Sequence, residues 1–239
     1  MSNLTGYSLN PFSNDFLSLI LSAGLLGAYQ LFLFYRTRSD PYYTVQSVMA
    51  IARAAWTESI MADSKKGVLA IQTLRNSTMA ATFHASTAIL LIIGTLTLSV
   101  QGANFDSTLH ALNVSGSKQT EIWAIKLMLL LVDLFVAFFS FAVAIRVFNL
   151  VGYMINAPAS AHQAALSPRH VASHLNRAGR YYSVGMRAYY TLVPLVFWLF
   201  GPLYMLLSTI ALLFILYHLD RAPRAFVFRH EKRAIKIEK

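Results

Sequence analysis

Residues 122–148 read IWAIKLMLLLVDLFVAFFSFAVAIRVF. A bilayer's hydrocarbon core is about 30 Å thick, and a helix rising about 1.5 Å per residue crosses it with about 20 apolar residues. This run reaches that length and is read as a membrane span. Asp133 falls near its middle, with Lys126 on one side and Arg146 on the other. A charge at that depth costs about 2.5–3.5 kcal/mol on insertion scales, so it is expected to have a partner or a task.

Three more blocks have spanning length: 16–35, about 79–100, and 188–219. Of 239 residues, 56% are hydrophobic and 13% charged; soluble domains average about 25% charged. The chain is therefore read as a single membrane domain over 1–239, an all-α polytopic transmembrane helical bundle. No Lys or Arg precedes the first block and no A-x-A site follows it, so it is expected to be a retained anchor rather than a cleaved signal.

Between the first two blocks, Val45, Val48, Met49, Ala52, Ala55, Trp56 and Ile60 recur at helical spacing with Arg53, Glu58 and Ser59 among them. This predicts an amphipathic interfacial helix. Gly67 interrupts it, and a further helix from Val68 is expected to enter the membrane through Arg75 and Asn76. Asn156-Ala157-Pro158 closes the third long helix. Ser167-Pro168 opens the next, with Ser as N-cap and Pro at the first helical position.

Charge sets the expected topology. Arg36, Arg38, Arg53, Lys65, Lys66 and Arg75 lie in 36–78, and Arg169, Arg177, Arg180 and Arg187 in 149–187, whereas the polar loop 101–121 holds only Lys118. The positive-inside rule then places both basic stretches in the cytoplasm and the N-terminus outside. The expected compartment is the bacterial inner membrane. The basic tail 220–239 complicates this, because four crossings would leave it outside. Either the last block is one long helix kinked at Pro194 and Pro202, or a hairpin at Gly201-Pro202 makes five crossings and brings the tail inside.

Net charge is +10 and cysteine is absent. The first points to anionic lipid as a partner, each nearby Lys or Arg contributing about 1 kcal/mol. Nucleic acid is not expected, because the basic residues are spread over several loops without a binding motif. The second excludes thiol nucleophiles, disulfides and Cys-ligated metal. Walker-type and dinucleotide glycine motifs are absent, as is any nucleophile elbow, so no catalytic residue and no cofactor is assigned.

Several residues remain as candidates. Asp133, Lys126, His84 and Gln30 are intramembrane polar or ion-handling candidates. Lys126 and Asp133 are about 10 Å apart along one helix face, too far for a direct pair, and Lys126 is expected to snorkel to the outer boundary. Tyr29, Gln30, Ser208 and Thr209 are expected neighbours of Asp133. Arg75, Arg146, Arg177, Arg180 and Arg187 gather at the expected cytoplasmic boundary, where guanidinium forks suit phosphate or carboxylate. His170 and His174, spaced i,i+4, have metal-pair spacing, although the expectation is a solvated face and no metal. Ala23 with Gly27, and Ala81 with Ala85, form small-xxx-small pairs that permit close helix contact.

Three stretches, QTLRNSTMAATFHASTAILL at 72–91, FSFAVAIRVFNLVGYMIN at 139–156 and GMRAYYTLVPLVFWLFGP at 185–202, resemble the membrane proteins grouped as domain of unknown function 599. The resemblance implies a helical membrane protein with about four spans and no assigned activity. It draws attention to Arg75, Asn76, Arg146, Asn149, Gly185, Arg187 and Pro202. The expected function is a non-catalytic accessory or scaffold module that binds other membrane helices, from other subunits or itself, and anionic lipid. The alternatives are a small transporter or ion-coupled channel using Asp133, and an interfacial lipid-acting enzyme.

Overall fold

The structure, a computed structural model, describes residues 11–101, 120–157 and 166–222. Lys118 and the tail from residue 223 fall outside the described residues. Among the described residues six α-helices follow one another: α1 (Pro11–Ser39), α2 (Val45–Met61), α3 (Gly67–Gln101), α4 (Thr120–Ile155), α5 (Pro168–Phe200) and α6 (Pro202–Asp220). All but α2 are long and apolar enough to cross a bilayer.

The hairpin is the form the last block takes. Gly201 adopts φ 147 and ψ 163, a conformation essentially confined to glycine. Pro202, which lacks an N–H, starts α6 at the position where none is needed. Contacts on either side prove that α5 and α6 run antiparallel. Arg187, well before the turn, meets Asp220 at the far end of α6 at 3.5 Å. Ala222 N donates to the Tyr43 carbonyl at 3.1 Å, and Thr44 and Arg221 form a bridge. One end of the bundle therefore holds α2 and the ends of α1, α4 and α6, together with the starts of α3 and α5. The other end holds the Gly201 turn and the starts of α1 and α4.

Helix lengths separate membrane from non-membrane parts. The 19 residues of α6 rise about 28 Å, enough for the hydrocarbon core. With 35, 36 and 33 residues, α3, α4 and α5 reach about 50 Å and overshoot it by about 20 Å. At the α2 end they build an apolar core from Ile60 of α2, Leu74 of α3, Val147, Phe148 and Val151 of α4, and Val171 and Leu175 of α5. Thr44 caps α2, its hydroxyl accepting from Ser47 N; Ser167 caps α5 in the same way through His170 N.

The small-residue pairs have opposite fates. Ala81, Ala85 and Ala88 are buried, as their spacing predicts. Ala23 and Gly27 are exposed, and a Cβ added at Gly24 or Gly27 would meet nothing within 4 Å. The face of α1 that is buried carries Asp15, Ser18, Ser22 and Leu33 instead, and it packs on α6. Polar side chains along α3 return to their own helix: Thr73, Ser77, Thr82, Thr87, Thr95 and Thr97 each donate to the carbonyl four residues earlier. That satisfies their hydroxyls without a neighbour, so α3 carries a run of them through the apolar layer.

Candidate functional site

At the Gly201 end, Lys126 is the most deeply buried charge described. Only 1% of it is exposed, and its ammonium lies 2.9 Å from Asp15, itself 2% exposed. Lys126 also donates to the Trp198 carbonyl at 3.0 Å, and Trp198 Nε1 donates to Asp15 Oδ1 at 3.0 Å. The ammonium stands 5.2 Å from the Trp198 ring centroid. The expected snorkelling does not occur. The side chain is held inward because a carboxylate, a carbonyl and an aromatic face together replace water. Asp15 was not singled out from the sequence. The only trace of it there is an acidic residue at the edge of the first apolar block.

One heptad further into the bundle along the same three helices stand Ser22, Asp133 and Thr191. Thr191 Oγ donates to Asp133 Oδ1 at 2.8 Å. The same hydroxyl lies 2.9 Å from the Ala188 carbonyl, so its one proton serves one acceptor at a time. Asp133 Oδ2 and Ser22 Oγ are buried with no hydrogen-bond partner among the described residues. The expected neighbours of Asp133 have other bonds. Tyr29 donates to Asp220 at 3.0 Å, Ser208 and Thr209 donate to Met205 O, and exposed Gln30 accepts from Arg187. His84 sits among Phe141, Tyr182 and Tyr189, with centroids 5.2–5.8 Å away. Its Nδ1 is 2.7 Å from the Ala80 carbonyl, and Tyr189 OH donates to the His84 carbonyl. Gly185 is required beside this cluster, because a Cβ there would lie 2.7 Å from Phe141 Cζ.

The α2 end contains a cavity of about 880 Å3 between α2, α3, α5 and the end of α6. Met49, Trp56, Leu74, Phe148, Met186 and Leu219 give it apolar walls. Arg53, Arg187 and Asp220 supply its charges, two positive and one negative. Arg53 is held by construction. Its Nε donates to Asn176 Oδ1 at 2.8 Å, Asn176 Nδ2 donates to the Ala50 carbonyl at 3.2 Å, and the guanidinium lies over Gly179, where a Cβ would come within 2.8 Å of Cζ. The two terminal nitrogens of Arg53 have no acceptor among the described residues. Burial and then the charge of Arg180 push its pKa down from the usual arginine value. Both causes disfavour the charged form, and a nearby anion would offset them.

A second cavity, of about 800 Å3, opens on the other side of the α3–α4 seam and is lined by Arg75, Thr78, Asn149, Tyr153 and Asn156. Leu74 and Phe148 line both cavities and form the wall between them. The neighbours Arg75 and Asn76 are thus divided, Arg75 to the second cavity and Asn76 to the first. Arg187 of the sequence-predicted cluster reaches the first cavity. Arg180 flanks it through Arg53. Arg177 is exposed over Tyr181 at 5.7 Å, and Arg146 is exposed and lines neither cavity. His170 and His174 are brought together, their Nε2 atoms 3.1 Å apart.

Buried small-residue packing, five spanning-length helices and a basic projecting end define a polytopic helical membrane protein. The chain belongs to the family described as protein of unknown function, DUF599, which it matches over residues 17–225. No curated protein and no solved structure matches it. All three stretches that carry the family resemblance contribute to the basic-end cavities: Asn76 and Arg75 from the first, Phe148 and Asn149 from the second, Met186 and Arg187 from the third.

Proposed function

We propose that this protein is a non-catalytic membrane module whose basic end holds an anionic amphiphile, with the acidic headgroup on Arg53 and Arg187 and the apolar part against Trp56, Phe148 and Met186. The observation that carries this is Arg53, half-buried beside a cavity with no acceptor for its terminal nitrogens among the described residues and with Arg180 as a like-charged neighbour. A guanidinium fork matches phosphate oxygens two at a time. The cavity's charged lining sums to one positive charge, which a monoanionic headgroup neutralises. Its volume falls within the about 300–1,000 Å3 usual for ligand sites.

The test is retention of labelled phosphatidylglycerol against phosphatidylcholine by delipidated protein in detergent. Wild type is expected to hold the anionic lipid selectively, and Arg53→Gln with Arg187→Gln to lose that selectivity by tenfold or more. Equal retention of both lipids by wild type would refute the reading. In the same reading the basic end faces the cytoplasm and the N-terminus the opposite side, in a bacterial inner membrane. The absence of cysteine makes this testable with single cysteines at exposed Asn14 and Glu58. An impermeant thiol reagent applied outside whole cells should label the first and not the second.

A second reading rests on one separate observation, the unpartnered Oδ2 of Asp133 within a spanning helix. It makes the protein a small proton- or cation-coupled carrier. Proteoliposomes loaded with a pH-sensitive dye should then show a proton leak that Asp133→Asn removes. Identical traces for the two proteins would end this reading.

A further inference from the structure

The first two turns of α5 carry a feature that the cavity reading does not use. His170 and His174 are spaced i,i+4, their rings stand 4.8 Å apart, and their Nε2 atoms converge to 3.1 Å. Two nitrogens each about 2.0–2.1 Å from a tetrahedral zinc ion would stand about 3.3 Å apart. The pair therefore already stands close to the separation of two ligands on one metal. No carboxylate bonds to either ring among the described residues; the two Nε2 atoms are hydrogen-bonded to each other, and the proton between them must leave before both can face one metal. The backbone beneath them is fixed. Val171 and Leu175, one residue on from each histidine, are 0% and 4% exposed in the core shared with α2 and α4, and Ser167 caps the turn. Holding two i,i+4 imidazoles on a rigid turn removes most of the ordering cost of chelation.

We propose that His170 and His174 form a two-histidine site for a divalent transition metal of the zinc, nickel or copper class, which neutral imidazole suits. No group of three or more His, Cys, Asp or Glu able to hold a metal exists among the described residues. The site therefore leaves its remaining coordination positions to water or to an exogenous ligand, which is the form of an open rather than a closed structural site. Arg169 and Arg177 on the same helix add positive charge nearby. A complex that also takes up an anion such as hydroxide or phosphate at an open position is thereby favoured over the bare dication.

The experiment uses the full chain in detergent, purified on a histidine-free tag and stripped with chelator. Zinc is titrated by calorimetry, and copper is examined by electron paramagnetic resonance. One equivalent of zinc per chain is expected, with copper coupling to two imidazole nitrogens. Either His170→Ala or His174→Ala should weaken zinc binding at least about tenfold, since even outer-shell losses cost that much. His218→Ala, at a lone exposed histidine, should leave binding unchanged. Because both rings lie on the outside of a fixed turn, helix content and thermal midpoint of the metal-free variants should match wild type. Failure to bind a stoichiometric ion, binding that survives the double replacement, or a copper signal from one nitrogen only would each overturn the proposal.

Discussion

Replacing Lys126 by Met, Asp15 by Leu, and then both together tests the buried ion pair in a form that can fail. The two groups are 1% and 2% exposed and 2.9 Å apart. Removing one partner leaves the other charge without compensation, a loss worth about 3–5 kcal/mol at buried sites. Removing both leaves no stranded charge. What remains is the Trp198 indole N–H without Asp15 and the Trp198 carbonyl without Lys126, and an orphaned buried polar group costs about 1–3 kcal/mol. The double replacement should therefore cost less than the two single losses added together, by a coupling energy of about 3 kcal/mol. Unfolding in detergent micelles with increasing dodecyl sulfate, read through tryptophan fluorescence, gives the four free energies of the cycle. Ionic strength should barely change them, because screening acts on exposed charges. Single replacements within about 0.5 kcal/mol of wild type, or strictly additive losses, would show that the pair is not a shielded unit.

Other substitutions probe other parts of the frame. Gly201→Ala forces a side chain into a conformation near φ 147 and should cost about 1–3 kcal/mol in the same unfolding assay. Gly185→Ala drives a methyl to 2.7 Å from Phe141 and should cost about 1–3 kcal/mol by overpacking, with partial rescue by Phe141→Leu. Thr191→Val removes the donor to Asp133 Oδ1, leaves both carboxyl oxygens without a described partner and should cost about 1–3 kcal/mol. Gly179→Ala meets only the movable end of Arg53, so stability should stay within about 0.5 kcal/mol of wild type while anionic-lipid retention falls. Retention equal to wild type in that variant would remove Arg53 from the headgroup site.

The apolar blocks, the amphipathic helix α2 and the starts of α3 and α5 were legible in the sequence, because length, 3.6-residue periodicity and capping residues are local properties. The choice between one kinked helix and a hairpin was not. Pro194 lies inside α5 without breaking the fold, whereas Gly201 reverses the chain, and both read simply as helix breakers. Lys126 was misjudged for a related reason. Snorkelling follows from one helix considered alone, and the groups that hold the ammonium inside come from α1 and α5, at Asp15 and Trp198. The exposed Ala23–Gly27 face shows the same limit: a small stripe permits close approach without saying which face a neighbour takes. Arg53 was visible only as a polar residue in an amphipathic pattern and as one of the basic residues of 36–78. Its importance depends on Gly179 and Asn176, distant in sequence and on another helix.

Polar groups are accommodated here in two distinct ways, and the difference bears on where function resides. Within the span, most are closed off locally. The hydroxyls of α3 bond back to their own helix, and Lys126 and Asp15 neutralise each other with Trp198 completing the set. Such groups have little capacity left for a ligand. At the α2 end the opposite holds. Arg53 keeps donors with no acceptor among the described residues, and two cavities flank one Leu74–Phe148 wall. A fold that only needed to cross the membrane would not need 33–36-residue helices to do so. The extra length of α3, α4 and α5, closed over by α2, creates the volume between them. That volume is lined by both Arg53 and Arg187 and by Trp56, Phe148 and Met186, the two kinds of side chain that an anionic amphiphile requires.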